Sequence, residues 1–100
     1  MQEKSNEKSS FHTTEIDQGF NVLRAKNDTE QTQSFSQKVQ QNVLQFHFCL
    51  KGQMNFKYNN GNYTFPLNED HSMLLYNPAK KLPIDLEISS NTWLISVLIS

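Results

Sequence analysis

The stretch that decides the fold is Leu44 to Pro78, LQFHFCLKGQMNFKYNNGNYTFPLNEDHSMLLYNP, in which strand patterns are joined by turn residues. Apolar and polar residues alternate through Met54 to Tyr58 and bulky residues recur at every second position from Tyr63 to Leu67, which is typical of half-buried strands. Between these two strands, the Asn-Asn-Gly-Asn segment 59–62 predicts a tight hairpin, because Asn and Gly tolerate positive φ. Gly52 predicts a turn before the first of them. The stretch therefore predicts a small antiparallel β-barrel.

The strand that precedes Gly52 runs over Val43 to Leu50 and could bury either of its faces. Two alternating sets of side chains define these faces, Leu44, Phe46, Phe48 and Leu50 against Val43, Gln45, His47 and Cys49. Apolarity alone directs the first set into the barrel. The pattern leaves open whether the other face is covered by a partner or by the N-terminal strand.

The flanking sequence supplies further strands and no helical period. Strands are predicted over Gly19 to Ala25, over Ser72 to Tyr76 and, with one wet face, over Ile84 to Ile88. Trp93 to Ile99 is apolar on both faces and is predicted to be a central strand. The Gln-, Ser- and Thr-rich segment 27–42 is predicted to be a loop or a weak edge strand. Turns recur about every ten residues, so some six or seven strands should form an all-β barrel or sandwich.

Composition limits the chain to one domain and excludes several classes of partner. The chain has 100 residues and a net charge of −1, which gives no electrostatic footprint for nucleic acid or an anionic membrane. Residues 1–10 are almost wholly polar and are predicted to be a disordered tail before a domain over residues 11–100. Near the N-terminus there is no apolar run of signal-peptide length, and Trp93 to Ile99 is too short to span a membrane. The single Cys49 cannot form an internal disulfide, which favours a cytoplasmic location.

Two phrases in the deciding stretch resemble a known family. Phe48 to Gln53, FCLKGQ, resembles an aromatic, Val-Leu-Glu-Gly-Glu run, and Ser72 to Pro78, SMLLYNP, resembles a Gly-Asp-Leu-Leu-Leu-Ile-Pro-Pro run. Both runs occur in the N-terminal, cupin-like sensor domain of arabinose-regulator (AraC) family transcription factors. The resemblance covers residues 40–98, and the wording QFHFCLKG with LLYNP is most similar to regulators of the Bacteroidetes group.

The resemblance implies a fold, a function and a set of partners. The fold is a small cupin-like antiparallel barrel or jelly roll, the double-stranded β-helix, with little or no helix. Family members read DNA with two C-terminal helix-turn-helix units, so DNA binding is expected in a part absent from this chain. The chain is then expected to be an effector-sensing or dimerisation domain that binds a small molecule and forms a homodimer, without a cofactor.

The resemblance also suggests where an effector would bind. Sensor domains of this family hold a small polar effector inside the barrel with aromatic rings and a few polar groups. The family alignment turns the face that carries Gln45, His47 and Cys49 inward. The residues expected to bind an effector are Gln45, His47, Tyr58, Tyr76 and Trp93.

The residues that bind metal in cupins have no counterpart here. Such cupins use two His and a Glu from a first motif and one His from a second. Alignment on Gly52 places Gln45 at the Glu position and Val39 and Gln41 near the two His positions, and Lys80 to Pro83 offers no His. The sequence predicts no metal.

The sequence supports an enzymatic function less well than a sensor function, but it does suggest particular residues for one. His47 and Cys49 share a strand face and could form a displaced metal site with His71, as in a small metal-dependent cupin enzyme. Cys49 has no neighbouring cation to activate its thiol, and Asp85 and Glu87 fit the solvated side of a strand. We therefore predict that the chain is not an enzyme. A third hypothesis is a structural domain whose barrel is filled by its own side chains and which serves only to pair subunits.

Overall fold

A computed structural model describes residues 9–58 and 61–100, and within these residues the chain forms strands and turns without a helix. None of the described segments is a helix long and apolar enough to cross a membrane. The described strands are β1 Ser9–Asp17, β2 Phe20–Asn27, β3 Gln33–Gln37, β4 Leu44–Lys51, β5 Gln53–Tyr58, β6 Tyr63–Asn68, β7 Ser72–Leu75, β8 Ile84–Ile88 and β9 Thr92–Ile99.

The strands form two antiparallel sheets that enclose one core. One sheet has five strands in the order β1-β2-β9-β4-β7, and the other has four in the order β3-β8-β5-β6. Neighbours within a sheet are mostly distant in sequence, so the chain crosses repeatedly between the sheets as in a jelly roll. β9 lies at the centre of the larger sheet, which confirms the prediction for Trp93 to Ile99.

The core consists of the inward side chains of both sheets. Its largest apolar members are almost inaccessible to solvent and comprise Leu23, Met54, Phe56, Ile84, Leu86, Ile88 and Leu94. Burial of each such side chain contributes about 1.5–3 kcal/mol. At one edge, the rings of Phe11 on β1 and Phe35 on β3 stack with centroids 4.1 Å apart and join the two sheets.

β4 turns its polar face into the core. Gln45, His47 and Cys49 are fully buried, whereas Phe46 is 40% exposed on the outer side. The inward orientation from the family alignment is therefore correct, and the one from apolarity alone is wrong. Buried Gln45 and His47 are stable there because each finds hydrogen-bond partners inside, as polar groups away from water require.

The structure differs from the predicted strands at the N-terminus. β1 was absent from the predicted strands because its sequence, SSFHTTEID, lacks a clear alternation. It forms by pairing along β2, from Ser9 opposite Asn27 to Asp17 opposite Phe20. Ser9 and Ser10, assigned to the disordered tail, belong to this strand, and the remainder of that prediction lies outside the described residues. Residues 59 and 60 of the predicted hairpin turn also lie outside them.

Candidate functional site

A chain of polar groups lies in the interior beside the neighbouring strands β4 and β9 of the larger sheet. Gln45 Nε2 donates to the carbonyl oxygen of Leu82 at 2.6 Å, and the Gln45 side-chain oxygen lies 2.9 Å from Nε2 of His47. His47 Nδ1 lies 2.5 Å from Oγ of Ser96 on the neighbouring β9. We call Gln45, His47 and Ser96 the interior polar chain.

The direction of these hydrogen bonds follows from its first member. A backbone carbonyl can only accept, so the amide nitrogen of Gln45 faces Leu82 and the amide oxygen faces His47. That oxygen also can only accept, so Nε2 of His47 carries the proton. Nδ1 is then the acceptor of the Ser96 hydroxyl. His47 is thus neutral with both nitrogens engaged, and burial lowers its pKa to about 4.

Cys49 continues the same inward face but has no activating neighbour. It is fully buried, and its Sγ lies 3.4 Å from the carbonyl oxygen of Lys51. Burial raises the pKa of the thiol, which keeps it protonated and poorly nucleophilic. Cys49 therefore acts as a small packing residue beside the interior polar chain.

At one end of the barrel, a cleft of about 600 Å³ lies beside Tyr58, the last residue of β5. We call it the mouth cleft, and its walls include Tyr58, Tyr63, Lys80, Lys81, Leu82 and Asp85. Lys80, Lys81 and Leu82 belong to the β7–β8 loop, residues 76–83. The cleft and the interior polar chain meet at Leu82, whose carbonyl oxygen accepts the bond from Gln45.

Tyr58 has an unusual hydroxyl group. Its oxygen is shielded from solvent and has no hydrogen-bond partner among the described residues. Burial raises the pKa of Tyr58 to about 12, so the group is a neutral donor at physiological pH. Its ring packs against that of Phe65 at 5.7 Å. Tyr58 thus lines the mouth cleft, and its shielded hydroxyl is a hydrogen-bond donor without a partner among the described residues.

Tyr76 and Trp93 lie apart from the other three predicted effector-binding residues. Thr92 and Leu94 point inward on β9, so Trp93 between them points outward, and its Nε1 donates to Asp28 at 2.9 Å. Tyr76 follows β7, is 52% exposed and donates its hydroxyl proton to Asn42. Of the five predicted effector-binding residues, the structure therefore brings Gln45, His47 and Tyr58 to the interior or its mouth and leaves Tyr76 and Trp93 on the outside.

The histidine and cysteine side chains that the structure describes are not arranged to hold a metal ion. No cluster of three His, Cys, Asp or Glu occurs in the part of the chain that the structure describes. Both nitrogens of His47 are occupied by Gln45 and Ser96. His71 is exposed, with Nδ1 3.0 Å from the carbonyl oxygen of Glu69, and the structure does not bring its ring to His47. The displaced metal site suggested by the sequence is therefore not assembled.

Sequence reasoning missed Ser96 and most of the mouth cleft. Ser96 is the single polar residue within the run WLISVLI, and its parity on β9 would have placed it inward. Its partnership with His47 depends on the register of β4 and β9, in which the two residues are directly opposite. Lys80 and Lys81 carried no local signal, since their contribution depends on how the β7–β8 loop folds across the barrel end.

Comparisons with known proteins identify the fold. No protein-family model and no curated protein matches the sequence. Among solved structures, the fold is similar to the cupin domain of an XRE family transcriptional regulator from Enterobacter cloacae, with 12% identity, a TM-score of 0.65 and coverage of 92% of this chain and 95% of that one. These findings confirm the predicted all-β cupin fold, the double-stranded β-helix.

Two further similar structures belong to proteins of different function. An HTH_3 family transcriptional regulator from Vibrio cholerae matches at 11% identity with a TM-score of 0.66, over 96% of this chain and 53% of that one. HppE with cobalt(II), in complex with Tris, matches at 15% identity with a TM-score of 0.63, over 91% and 53%. The chain thus spans about half the length of these two proteins, and at such identities the likeness concerns the fold alone.

Proposed function

We propose that this chain is the sensor domain of an AraC-type transcription regulator and that it binds a small effector at the mouth of its barrel. The two phrases around Gly52 and before Pro78 support the AraC assignment. The likeness in fold to cupin domains of two other regulators supports a regulatory role for the barrel. DNA recognition is assigned to another part of the regulator, since the sensor domain has a net charge of −1.

The observation that carries the effector site is the unpartnered hydroxyl of Tyr58 beside the mouth cleft. A buried polar group without a hydrogen-bond partner destabilises a protein by about 1–3 kcal/mol. An acceptor atom on a ligand would remove this penalty, so the cleft favours a molecule that can reach the phenol. The β7–β8 loop, which forms one wall, must shift slightly to admit it.

The charges around the cleft indicate the class of effector. Lys80 and Lys81 line it, and neither has a carboxylate within 4 Å among the described residues. Lys57 also lines it but is paired with Glu87 at 2.9 Å. Two free ammonium groups and a phenol donor favour a carboxylate or phosphate, while Asp85 can accept from hydroxyl groups. The effector is therefore a small hydroxylated anion such as a sugar acid.

The interior polar chain offers a route from the effector to the sheet. A ligand in the mouth cleft displaces the β7–β8 loop, and Leu82 in that loop holds the side chain of Gln45. Gln45 and His47 belong to β4 and Ser96 belongs to β9, so a change at Leu82 alters the contact between these two neighbouring strands. Binding and regulation are then coupled through a continuous set of hydrogen bonds.

Tyr58→Phe should separate ligand binding from stability, because the two effects have opposite signs. Without ligand, removal of the unpartnered hydroxyl should leave the free energy of unfolding unchanged or raise it by about 1 kcal/mol. Affinity for an anionic ligand should fall at least tenfold, since one charge-assisted hydrogen bond is lost. Urea unfolding measures the first effect, and titration of the ¹⁵N-labelled domain with glucuronate, galacturonate and their neutral sugars measures the second.

Tyr63→Phe is the matched control, because Tyr63 lines the same cleft but is 58% exposed. This variant should change neither stability nor affinity appreciably. Amide shifts should concentrate at residues 80–82 and at Tyr58. The effector site would be refuted if no acid or sugar produced such shifts, or if Tyr58→Phe and Tyr63→Phe bound equally well.

A metal-dependent enzyme is the competing function, and elemental analysis separates it from the sensor. Protein purified without chelators should contain less than stoichiometric transition metal, because His47 has no free nitrogen and no cluster of ligands surrounds it. His47→Gln should leave the metal content unchanged. A full equivalent of metal that disappears in this variant would favour the enzyme.

The parent gene offers a separate test of the regulator. Two helix-turn-helix patterns encoded beyond Ser100 are expected.

A further inference from the structure

A second pocket lies on the outer side of the five-stranded sheet, away from the mouth cleft. It has a volume of about 270 Å³ and is formed by β1, β2, β9 and the end of β4, with walls that include His12, Arg24, Lys26, Leu50, Trp93 and Ile95. We call it the outer pocket. Trp93 is near the start of β9, and Leu98 near the other end of this strand lies opposite Gln45. Gln45 in turn bonds to Leu82 in the wall of the mouth cleft. The two pockets therefore lie toward opposite ends of the strands, and they share no residue.

The strand register gathers cationic side chains around the ring of Trp93. Lys26 on β2 lies directly opposite Trp93, and Lys51 at the end of β4 is opposite it on the other side. Their ammonium nitrogens lie 5.3 and 5.5 Å from the centre of the ring, within the range of cation–π attraction. Arg24 projects from the same face of β2 as Lys26, and His12 of β1 lies opposite Arg24. An aromatic ring and three permanent positive charges thus meet at one place on the surface.

The positive charges of the outer pocket are only partly neutralised. Asp28 lies 3.2 Å from the ammonium group of Lys26 and accepts the Nε1 proton of Trp93 at 2.9 Å. The hydrogen bond from Trp93 and the charges of Lys26 and Lys51 hold the pKa of Asp28 below its ordinary value, so Asp28 stays ionised. Neither Arg24 nor Lys51 has a carboxylate within 4 Å in the part of the chain that the structure describes. Three cations against one carboxylate leave a net charge of +2, in a chain whose total charge is −1.

We propose that the outer pocket binds a nucleoside phosphate, in which a planar aromatic base and a phosphate group belong to one small molecule. Trp93 is 39% exposed and is held in place by Asp28, so its ring offers a preformed surface on which a base can stack. A phosphate monoester carries about −1.5 to −2 charges at pH 7, which matches the charge of the pocket. Arg24 can donate two parallel hydrogen bonds to the phosphate. The flexible stems of Lys26 and Lys51 let their ammonium groups move from the ring to the phosphate when a base takes their place.

The surroundings of the outer pocket favour a single nucleotide over a nucleic acid strand. A strand requires a row of cations that follows its backbone, whereas the cations here converge on one pocket of about 270 Å³. At the far end of β1 and β2, exposed Glu15 and Asp17 would repel a polyanion that continued along the sheet. Leu50 and Ile95 in the wall of the pocket supply apolar contacts for one base. Nucleotide binding here does not depend on the effector site, since the two pockets have no residue in common.

The fluorescence of Trp93 reports binding directly, because Trp93 is the single tryptophan of the chain. Adenosine 5′-monophosphate (AMP) should quench this fluorescence saturably, with a Kd below about 1 mM, when the ring is excited where AMP does not absorb. Adenosine lacks the phosphate and ribose 5-phosphate lacks the base, so each should bind about tenfold more weakly than AMP or worse. Amide shifts of the ¹⁵N-labelled domain should concentrate at residues 24–26 and 93–95.

Arg24→Gln tests the contact with the phosphate. Arg24 is exposed on the outer side of β2, so the variant should keep its fold, which circular dichroism and thermal unfolding check. Its affinity for AMP should fall about tenfold, whereas its affinity for adenosine should not change. Lys38→Gln is the matched control, because it removes one positive charge at an exposed position outside the outer pocket. Its affinity for AMP should stay within about twofold of that of the unchanged chain, since solvent and salt screen a distant charge.

Several outcomes would overturn the nucleotide site. One is the absence of saturable quenching at millimolar AMP, and another is equal affinity of Arg24→Gln and Lys38→Gln for AMP. Amide shifts confined to residues 80–82 would overturn it by assigning AMP to the mouth cleft, and tighter binding of a single-stranded oligodeoxynucleotide than of AMP would assign the outer pocket to a nucleic acid strand. Glucuronate titration of Arg24→Gln separates the two sites, because binding of glucuronate should be retained when binding of AMP is weakened.

Discussion

Gly52→Ala is expected to destabilise the domain by about 3–5 kcal/mol, enough to unfold much of the protein at physiological temperature. Gly52 has φ near +82°, a conformation in which any Cβ costs about 1–2 kcal/mol. A Cβ there would also lie 2.7 Å from the carbonyl oxygen of Asn91 and 2.8 Å from Cα of Thr92, and would overlap Thr92 Oγ1. Urea unfolding at a fixed protein concentration measures the loss.

The neighbours of Gly52 cannot move without further loss. Thr92 Oγ1 accepts from the backbone nitrogen of Gln53 at 3.1 Å and donates to the carbonyl oxygen of Gln53 at 3.0 Å, so rotation of Thr92 breaks both hydrogen bonds. The backbone nitrogen of Gly52 itself donates to the Glu69 carboxylate at 3.0 Å. These contacts hold the turn that begins β5, and thus the strand that ends at Tyr58.

Gly61→Ala is the matched control for the steric part of this effect. Gly61 has a similar φ of 86°, but a Cβ at this position would meet nothing within 4 Å. Its cost should be only that of the backbone strain, about 1–2 kcal/mol. Both variants change the entropy of the unfolded chain equally. If Gly52→Ala cost no more than Gly61→Ala, close packing at the β4–β5 turn would not explain the requirement for glycine.

The fold was predictable wherever local pattern and tertiary environment agreed. β5 and β6 carry recurring bulky residues on both sides of the segment 59–62, and β9 is apolar on both faces and lies at the centre of its sheet. β1 could not be predicted, because its residues adopt a strand only through pairing with β2. Apolarity predicted the wrong inner face of β4 for a related reason. It cannot reveal that groups on β9 and in the β7–β8 loop form hydrogen bonds with the buried side chains of Gln45 and His47.

The candidate site was predictable only in part. Gln45, His47 and Tyr58 follow from the family alignment and strand parity, whereas the direction of Trp93 required knowing that Thr92 and Leu94 are core residues. The mouth cleft is formed by the ends of β5 and β6 together with a loop about twenty residues further along the chain. A periodic pattern in the sequence cannot predict that these distant segments contact each other. The proposed function accordingly depends on tertiary contacts that the sequence does not display.

His47 is expected to make stability depend on pH between about 4 and 6.5. Its pKa is about 4 in the folded protein and near the ordinary 6.5 in the unfolded chain. Between these values the unfolded chain binds the proton and the folded protein does not, so the free energy of unfolding falls as pH decreases through this window. The contribution is fully present above pH 6.5, and the loss by pH 4 amounts to about 3 kcal/mol.

His47→Gln isolates this contribution from the carboxylates that also titrate under acid conditions. The variant loses a hydrogen bond and should be less stable than the unchanged chain at pH 7. As pH decreases, its free energy of unfolding should fall less steeply, so the difference in stability between the two proteins should be about 3 kcal/mol smaller at pH 4 than at pH 7. His71→Gln serves as the control for the loss of an imidazole, because His71 is exposed and lies outside the interior polar chain. Parallel curves for His47→Gln would mean that the interior accepts a proton, by rotation of the Ser96 hydroxyl toward another acceptor. The hydrogen bond between His47 and Ser96 would then be reversible, whereas the bonds from Gln45 to Leu82 and from His47 to Gln45 would keep their direction.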